Sequence, residues 1–81
     1  MVESLSAHRA NLAKRICIIL KATREDAEMT QGEVADAMGW TRNMVANVEH
    51  GRRALTFADF VMFAKVFNMK PDRLLNRILS W

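Results

Sequence analysis

The chain has no tyrosine, one cysteine, one proline and three glycines in 81 residues. Each scarcity removes a class of structure. With Cys17 alone there is no internal disulfide, so a packed core must hold the fold, and a reducing, cytoplasmic setting is expected. Cys17 itself reads as a small packed hydrophobe rather than a reactive thiol. The single proline and the lack of any extended alternation of β-branched residues argue against a sheet. The apolar stretch Ile16–Leu20 is too short to cross a bilayer and is flanked by Lys14, Arg15 and Lys21. Met1–Ser6 carries no basic segment leading into an apolar run, so no signal peptide is expected. His8 and His50 stand apart, with no Cys, Ser or acidic partner at motif spacing, and there is no glycine-rich phosphate loop. Neither an enzyme nor a bound metal or cofactor is expected.

What is present is apolar and helical. Hydrophobic residues make up 51% of the chain, enough for a compact core, but 81 residues leave no room for a second catalytic or ligand-binding module. One domain is therefore expected over 1–81, with its core at about 12–80 and an extension of the first helix at about 4–11. The net charge of +3 permits a polyanionic partner without establishing one. The six methionines fall mostly at core-compatible spacing and read as packing.

The periodicity predicts five helices. Helix 1 starts near Ser4 or Ser6 and runs to about Asp26, with Leu5, Leu12, Ile16, Ile19, Leu20 and Thr23 at three- and four-residue intervals. Helix 4 begins after Thr56 and carries Phe57, Phe60, Val61, Phe63, Ala64, Val66 and Phe67. It is apolar nearly all round, so it is expected to be the central, most buried helix. Asn68, which tolerates a left-handed conformation, should end it. Pro71 suits the first turn of helix 5, which carries Leu74, Leu75, Ile78 and Leu79 towards Trp81.

The stretch between helices 1 and 4 is the most specific. In TQGEVADAMGWTRNMVANVEHG, Thr30-x-x-Glu33 is a capping box that starts helix 2, and Gly39 stands where its end needs positive φ. Thr41 offers a second N-cap, Met44, Val45 and Val48 continue at helical spacing, and Gly51 closes helix 3. Two short helices joined by a three-residue turn, followed by Arg52-Arg53, have the shape of a helix-turn-helix DNA-binding unit.

This segment resembles the phage repressor/Cro, or Xre-type, family of helix-turn-helix proteins. The matching elements are Arg24, Gln31, Val34-Ala35, the turn Gly39-Trp40-Thr41, Val45 and Glu49-His50-Gly51, aligned without a gap from Arg24 to Gly51. The resemblance extends over roughly residues 12–80. It implies an all-α, compact five-helix bundle of the lambda-repressor-like DNA-binding type, with helices 2 and 3 forming the helix-turn-helix. It also implies an ion pair between Arg24 and Glu49 that ties helix 1 to helix 3. The chain departs from the family pattern at the bulky Trp40, at Gly32, at Lys70 in place of a capping residue, at His50 and in the longer helix 1.

If Val45 and Val48 face the core, the outward positions of helix 3 are Arg42, Asn43, Ala46 and Asn47, with Met44 on the flank. The family's base-reading positions fall on Arg42, Asn43, Ala46 and Asn47, and the chemistry agrees. Arginine can bond guanine O6 and N7 together, asparagine adenine N6 and N7, and Ala46 or Met44 can lie against a thymine methyl. Gln31 at the start of helix 2, with Thr30 and Thr41 as secondary candidates, is expected at backbone phosphates. Arg52 and Arg53 are expected there too, to position rather than specify.

One recognition helix reads few base pairs, so a homodimer on palindromic or repeated half-sites is expected, its interface drawn from Leu74, Leu75, Ile78, Leu79 and Trp81. Leu5, His8 and Leu12 form a second interface candidate. The expected function is sequence-specific binding of a double-stranded DNA operator as a transcriptional regulator in a bacterial or phage-encoded, nucleoid-associated setting. A phage-type repressor, a restriction-modification controller and an antitoxin all fit, and a toxin or polymerase is a further candidate partner. The competing class is a protein-interaction module, such as a toxin-binding antitoxin, that uses helix 5 or helix 1 of the same fold.

Overall fold

The computed structural model describes residues 4–80; the interface candidate Trp81 lies outside them. Among the described residues there are five α-helices and no strand. They are α1 (Ser6–Asp26), α2 (Gln31–Met38), α3 (Arg42–Glu49), α4 (Phe57–Val66) and α5 (Pro71–Leu79). The fold class and helix order agree with the sequence-based expectation.

Local chemistry sets the helix boundaries. At the start of α2 the Thr30 hydroxyl accepts from the Glu33 N–H at 3.1 Å, and the Glu33 carboxylate accepts from the Thr30 N–H at 2.9 Å. Thr56 and Asp59 repeat the arrangement at α4, at 3.0 and 3.3 Å. Each box satisfies two of the amides that a helix start leaves unpaired. At α3, Thr41 accepts from the Met44 N–H at 3.4 Å, while the Met44 sulfur accepts from the Thr41 N–H at 3.5 Å. Pro71 opens α5 with φ already set for a helix, and its N-cap Lys70 makes no side-chain cap bond.

Four of the five helices end alike. The chain turns through positive φ at Glu28, Gly39, Gly51 and Asn68. The next amide returns to a carbonyl five residues back: Met29 to Arg24 at 3.1 Å, and Trp40 to Ala35, Arg52 to Asn47 and Met69 to Ala64, each at 2.8 Å. This double-bonded left-handed ending suits glycine or asparagine, so Gly39, Gly51 and Asn68 were legible. Glu28, at φ 57°, was not.

The helices pack in a closed circuit, α1 on α3, α3 on α2, α2 on α4, α4 on α5 and α5 on α1. Each contributes to the interior: Ile19 and Leu20 from α1, Val34 from α2, Val45 and Val48 from α3, Phe63 from α4, Leu74 and Ile78 from α5. Among the described residues no buried side-chain polar atom lacks a hydrogen-bond partner.

Three expectations change. The first concerns α4, which is not buried all round. It packs on α2 and α5 and buries Phe63, Ala64 and Phe67 of its segment, while Phe57 is 81% exposed and Met62 also faces solvent. An apolar stripe wider than its two neighbours can cover leaves the remainder outside.

The second concerns α1, whose burial begins only near Ile16; Leu5 and Leu12 are exposed. Its 21 residues, about 31 Å of helix, give the molecule its long axis of 46 Å against 24 and 20 Å.

The third concerns the assignment of Leu74 and Ile78 to a dimer interface. Four residues apart, they share the inward face of α5 and lie in the core, whereas Leu75 and Leu79 are 44% and 53% exposed.

Candidate nucleic-acid interface

The frame of the site is a buried polar cluster. Arg24 on α1 donates to both oxygens of Glu49 on α3, from Nε at 2.6 Å and from a terminal nitrogen at 3.1 Å. Its other terminal nitrogen donates to the Met29 carbonyl at 2.9 Å, and Gln31 donates its amide to the same Glu49 carboxylate at 2.9 Å. The hydrogen bond to Glu49 is the main cause that raises the Arg24 pKa above its ordinary value, against the desolvation that lowers it. The expected ion pair is therefore present, with a third member. It joins the end of α1, the start of α2 and the end of α3.

Gln31 is held within this cluster. One of its two amide hydrogens is engaged with Glu49. Residues 18 and 25 apart in sequence meet in this cluster; no local pattern announces Gln31 as a member. The Thr30 hydroxyl and N–H are both engaged with Glu33, as is expected of a cap.

On α3, Val45 and Val48 are buried, and the opposite side carries Arg42 and Asn43, exposed, with Ala46 and Asn47 half-buried. All four predicted outward positions thus reach the surface. Met44 is half-buried and bends back to the cap of its own helix, at the edge of this face. Its sulfur contact with the Thr41 N–H is a detail the sequence does not carry. A hollow at the border of the face is lined by Arg42 together with Glu25, Glu28, Thr30 and Gln31. Two carboxylates there oppose an anion on the α1 side of Arg42.

After α3 the chain folds back. The Asn47 carbonyl accepts from the amides of both Arg52 and Arg53, at 2.8 and 3.2 Å. The Arg53 guanidinium lies 4.7 Å from the centre of the Trp40 ring. Trp40, half-buried in the turn, meets Phe63 of α4 edge to face, with ring centres 5.5 Å apart at 86°. His50 is exposed, and its Nδ1 lies 2.8 Å from the Ala46 carbonyl. That partner only accepts, so Nδ1 carries the proton and Nε2 is the atom left to face outward. Lys14 lines a hollow with Cys17, His50 and Gly51, bringing a cation from α1 to the same end of the surface. Among the described residues no cluster of His, Cys, Asp or Glu could hold a metal ion, and no helix is long and apolar enough to cross a membrane.

Two helices joined by the turn Gly39–Thr41, clamped by apolar residues on one side and presenting arginine and asparagine on the other, define a helix-turn-helix domain, a DNA-binding architecture. The chain belongs to the helix-turn-helix family, whose model matches residues 20–74. No curated protein matches the sequence significantly.

Among solved structures, an XRE-family like protein from Pseudomonas syringae pv. tomato str. DC3000 is 25% identical at a TM-score of 0.81, covering 93% of this chain and 90% of that one. A mutant of the restriction-modification controller protein C.Esp1396I also gives 0.81, at 19% identity over 85% of this chain and 92% of that one. The clp gene regulator ClgR from C. glutamicum gives 0.78, at 17% identity over 85% and 90%. At these identities the last two bear on the fold alone.

Proposed function

We propose that the chain is a sequence-specific regulator of transcription that binds double-stranded DNA as a homodimer, with α3 in the major groove. The observation that carries this reading is the exposed Arg42–Asn43 pair at the leading end of a helix whose far end is anchored by Arg24 and Gln31 through Glu49. Groove-reading helices contact base edges from their N-terminal residues. Arg42, Asn43 and Asn47 supply donors for guanine and adenine edges, and Ala46, with Met44 beside it, supplies apolar contact for a thymine methyl. Arg52 and Arg53 meet phosphates, as does the free amide hydrogen of Gln31; Thr30 and Thr41 are secondary.

The dimer is supported by an apolar strip. Leu12 and Ile16 of α1, Phe57 and Phe60 of α4, and Leu75 and Leu79 of α5 line one shallow groove, and Leu5 continues it along α1. A phage-type repressor, a restriction-modification controller and an antitoxin are the three settings this architecture suits. The same strip favours the second reading, a module that binds a protein partner such as a toxin; the exposed Arg42 and Asn43 weigh for DNA.

Selection from a random duplex library with wild type and Arg42→Ala side by side tests the choice. A palindrome or direct repeat that loses one base preference in the variant is expected, with about 1–3 kcal/mol of discrimination lost at that base. Enrichment of nothing, with weak binding that disappears as salt rises, would leave only phosphate attraction and turn attention to the protein-partner reading.

A further inference from the structure

We propose that Trp40 is a positioning residue for Arg53, holding its guanidinium beside the N-terminal end of α3 so that it meets one defined backbone phosphate. The inference rests on the DNA-binding reading above. It starts from Trp40, a large aromatic residue that stands half-buried in the turn between α2 and α3.

The indole is fixed from behind. Its edge-to-face contact with Phe63, itself tilted against Phe67 at 5.8 Å, anchors the ring to the core while part of Trp40 stays exposed. Arg53 is brought to it by the backbone. The two amides that converge on the Asn47 carbonyl reverse the chain after α3, and the side chain then reaches back to a residue that precedes the helix. Arg53 is thus restrained at both ends, by the backbone turn and by the ring.

The chemistry of the pair leaves the guanidinium competent. Arginine is weakly hydrated and stacks on aromatic faces while its N–H donors stay on its rim. A cation over an indole at an exposed site favours that placement by about two- to fivefold in population. That bias is too weak to resist a phosphate and large enough to select one rotamer before DNA arrives. Trp40 directly precedes Thr41, the N-cap of α3, and a helix start itself carries partial positive charge that favours a phosphate. Arg52 provides the contrast: among the described residues its guanidinium has no ion-pair or ring partner. One arginine is pre-placed and its neighbour is not.

The test is a pair of double-mutant cycles on the duplex that wild type enriches from a random library. Trp40→Leu is expected to weaken binding about two- to fivefold and to add no further loss once Arg53→Ala is present. With Arg52→Ala the two losses should multiply. Trp40→Phe, which keeps a ring against Phe63, replaces Trp40→Leu should that variant not fold, and is expected to lose less, again only when Arg53 is intact. In the free protein, NMR should show Arg53 side-chain protons shifted upfield by the indole; the shift should vanish in Trp40→Leu and persist in Arg52→Ala. Equal losses from the Trp40 substitution with and without Arg53 would overturn the proposal, because Trp40 would then act only through the fold. If wild type enriches no duplex, the DNA-binding reading falls and takes this one with it, a failure told apart by the absence of any operator to run the cycles on.

Discussion

Glu49 shows how much of this site is carried by residues that need not touch DNA. Its side chain is 5% exposed, and it accepts from Arg24 and Gln31. Two charges removed from water gain little net stability as a pair, but stranding one of them costs about 3–5 kcal/mol. Glu49→Ala leaves the buried Arg24 guanidinium with only the Met29 carbonyl and frees Gln31. A loss of stability in that range is expected in urea denaturation, with the melting temperature falling accordingly. A melt unchanged from wild type would mean that the cluster is ornamental. Glu28 is the converse case, a residue at φ 57° that carries the strain of a left-handed position without the freedom of glycine. Glu28→Gly should raise stability by about 0.5–1 kcal/mol, the relief being partly offset by the entropy glycine adds to the unfolded chain. The same denaturation curve reads it, and a loss would show that the Glu28 side chain contributes something the backbone does not reveal.

At the scale of the helix, the caps connect stability to pH. The Glu33 carboxyl is held below its usual range, first by the bond from the Thr30 backbone N–H and then by the Thr30 side chain. A folded pKa below the unfolded one adds stability above the unfolded value, about 4.3 for a glutamate, and the gain is lost as pH falls through the folded value. The start of α2 should therefore loosen only in acid. NMR titration should place the Glu33 midpoint below about 4.3, with the Thr30 amide moving in step; a midpoint at or above that value would remove the cap from the account.

These caps also show why so much of the fold was legible. Thr30-x-x-Glu33, Thr56-x-x-Asp59, Pro71, Gly39, Gly51 and Asn68 act on their own neighbours, so their sequence patterns carry their geometry. The outward face of α3 followed from the two inward valines. What was hidden depends on distant partners. Gln31 turns to Glu49, Arg53 to Trp40, and Phe57 stays outside because α2 and α5 do not reach it. An apolar stripe states what wants to be covered, and only the packed circuit shows what is.

At the scale of the molecule, the described residues leave an apolar strip uncovered. Leu5 and Phe57 are 68% and 81% exposed, and they lie on a strip that also takes in Leu12, Leu75 and Leu79. In an all-α domain with a filled core, such a strip is the natural place for another surface to land. A second copy of the chain fits the proposed function because two-fold DNA sites mirror two-fold proteins, with recognition helices about 34 Å apart on one face of the duplex. Leu75 and Leu79 are the residues to change, since α5 turns Leu74 and Ile78 inward to hold the fold and these two outward. Leu75→Glu with Leu79→Glu should leave the melting profile of the folded monomer intact while shifting the sedimentation mass from dimer to monomer at tens of micromolar. The same double variant should then weaken binding to the full operator far more than to an isolated half-site. If wild type is already monomeric at that concentration and the variant binds the full operator equally well, α5 is not the interface.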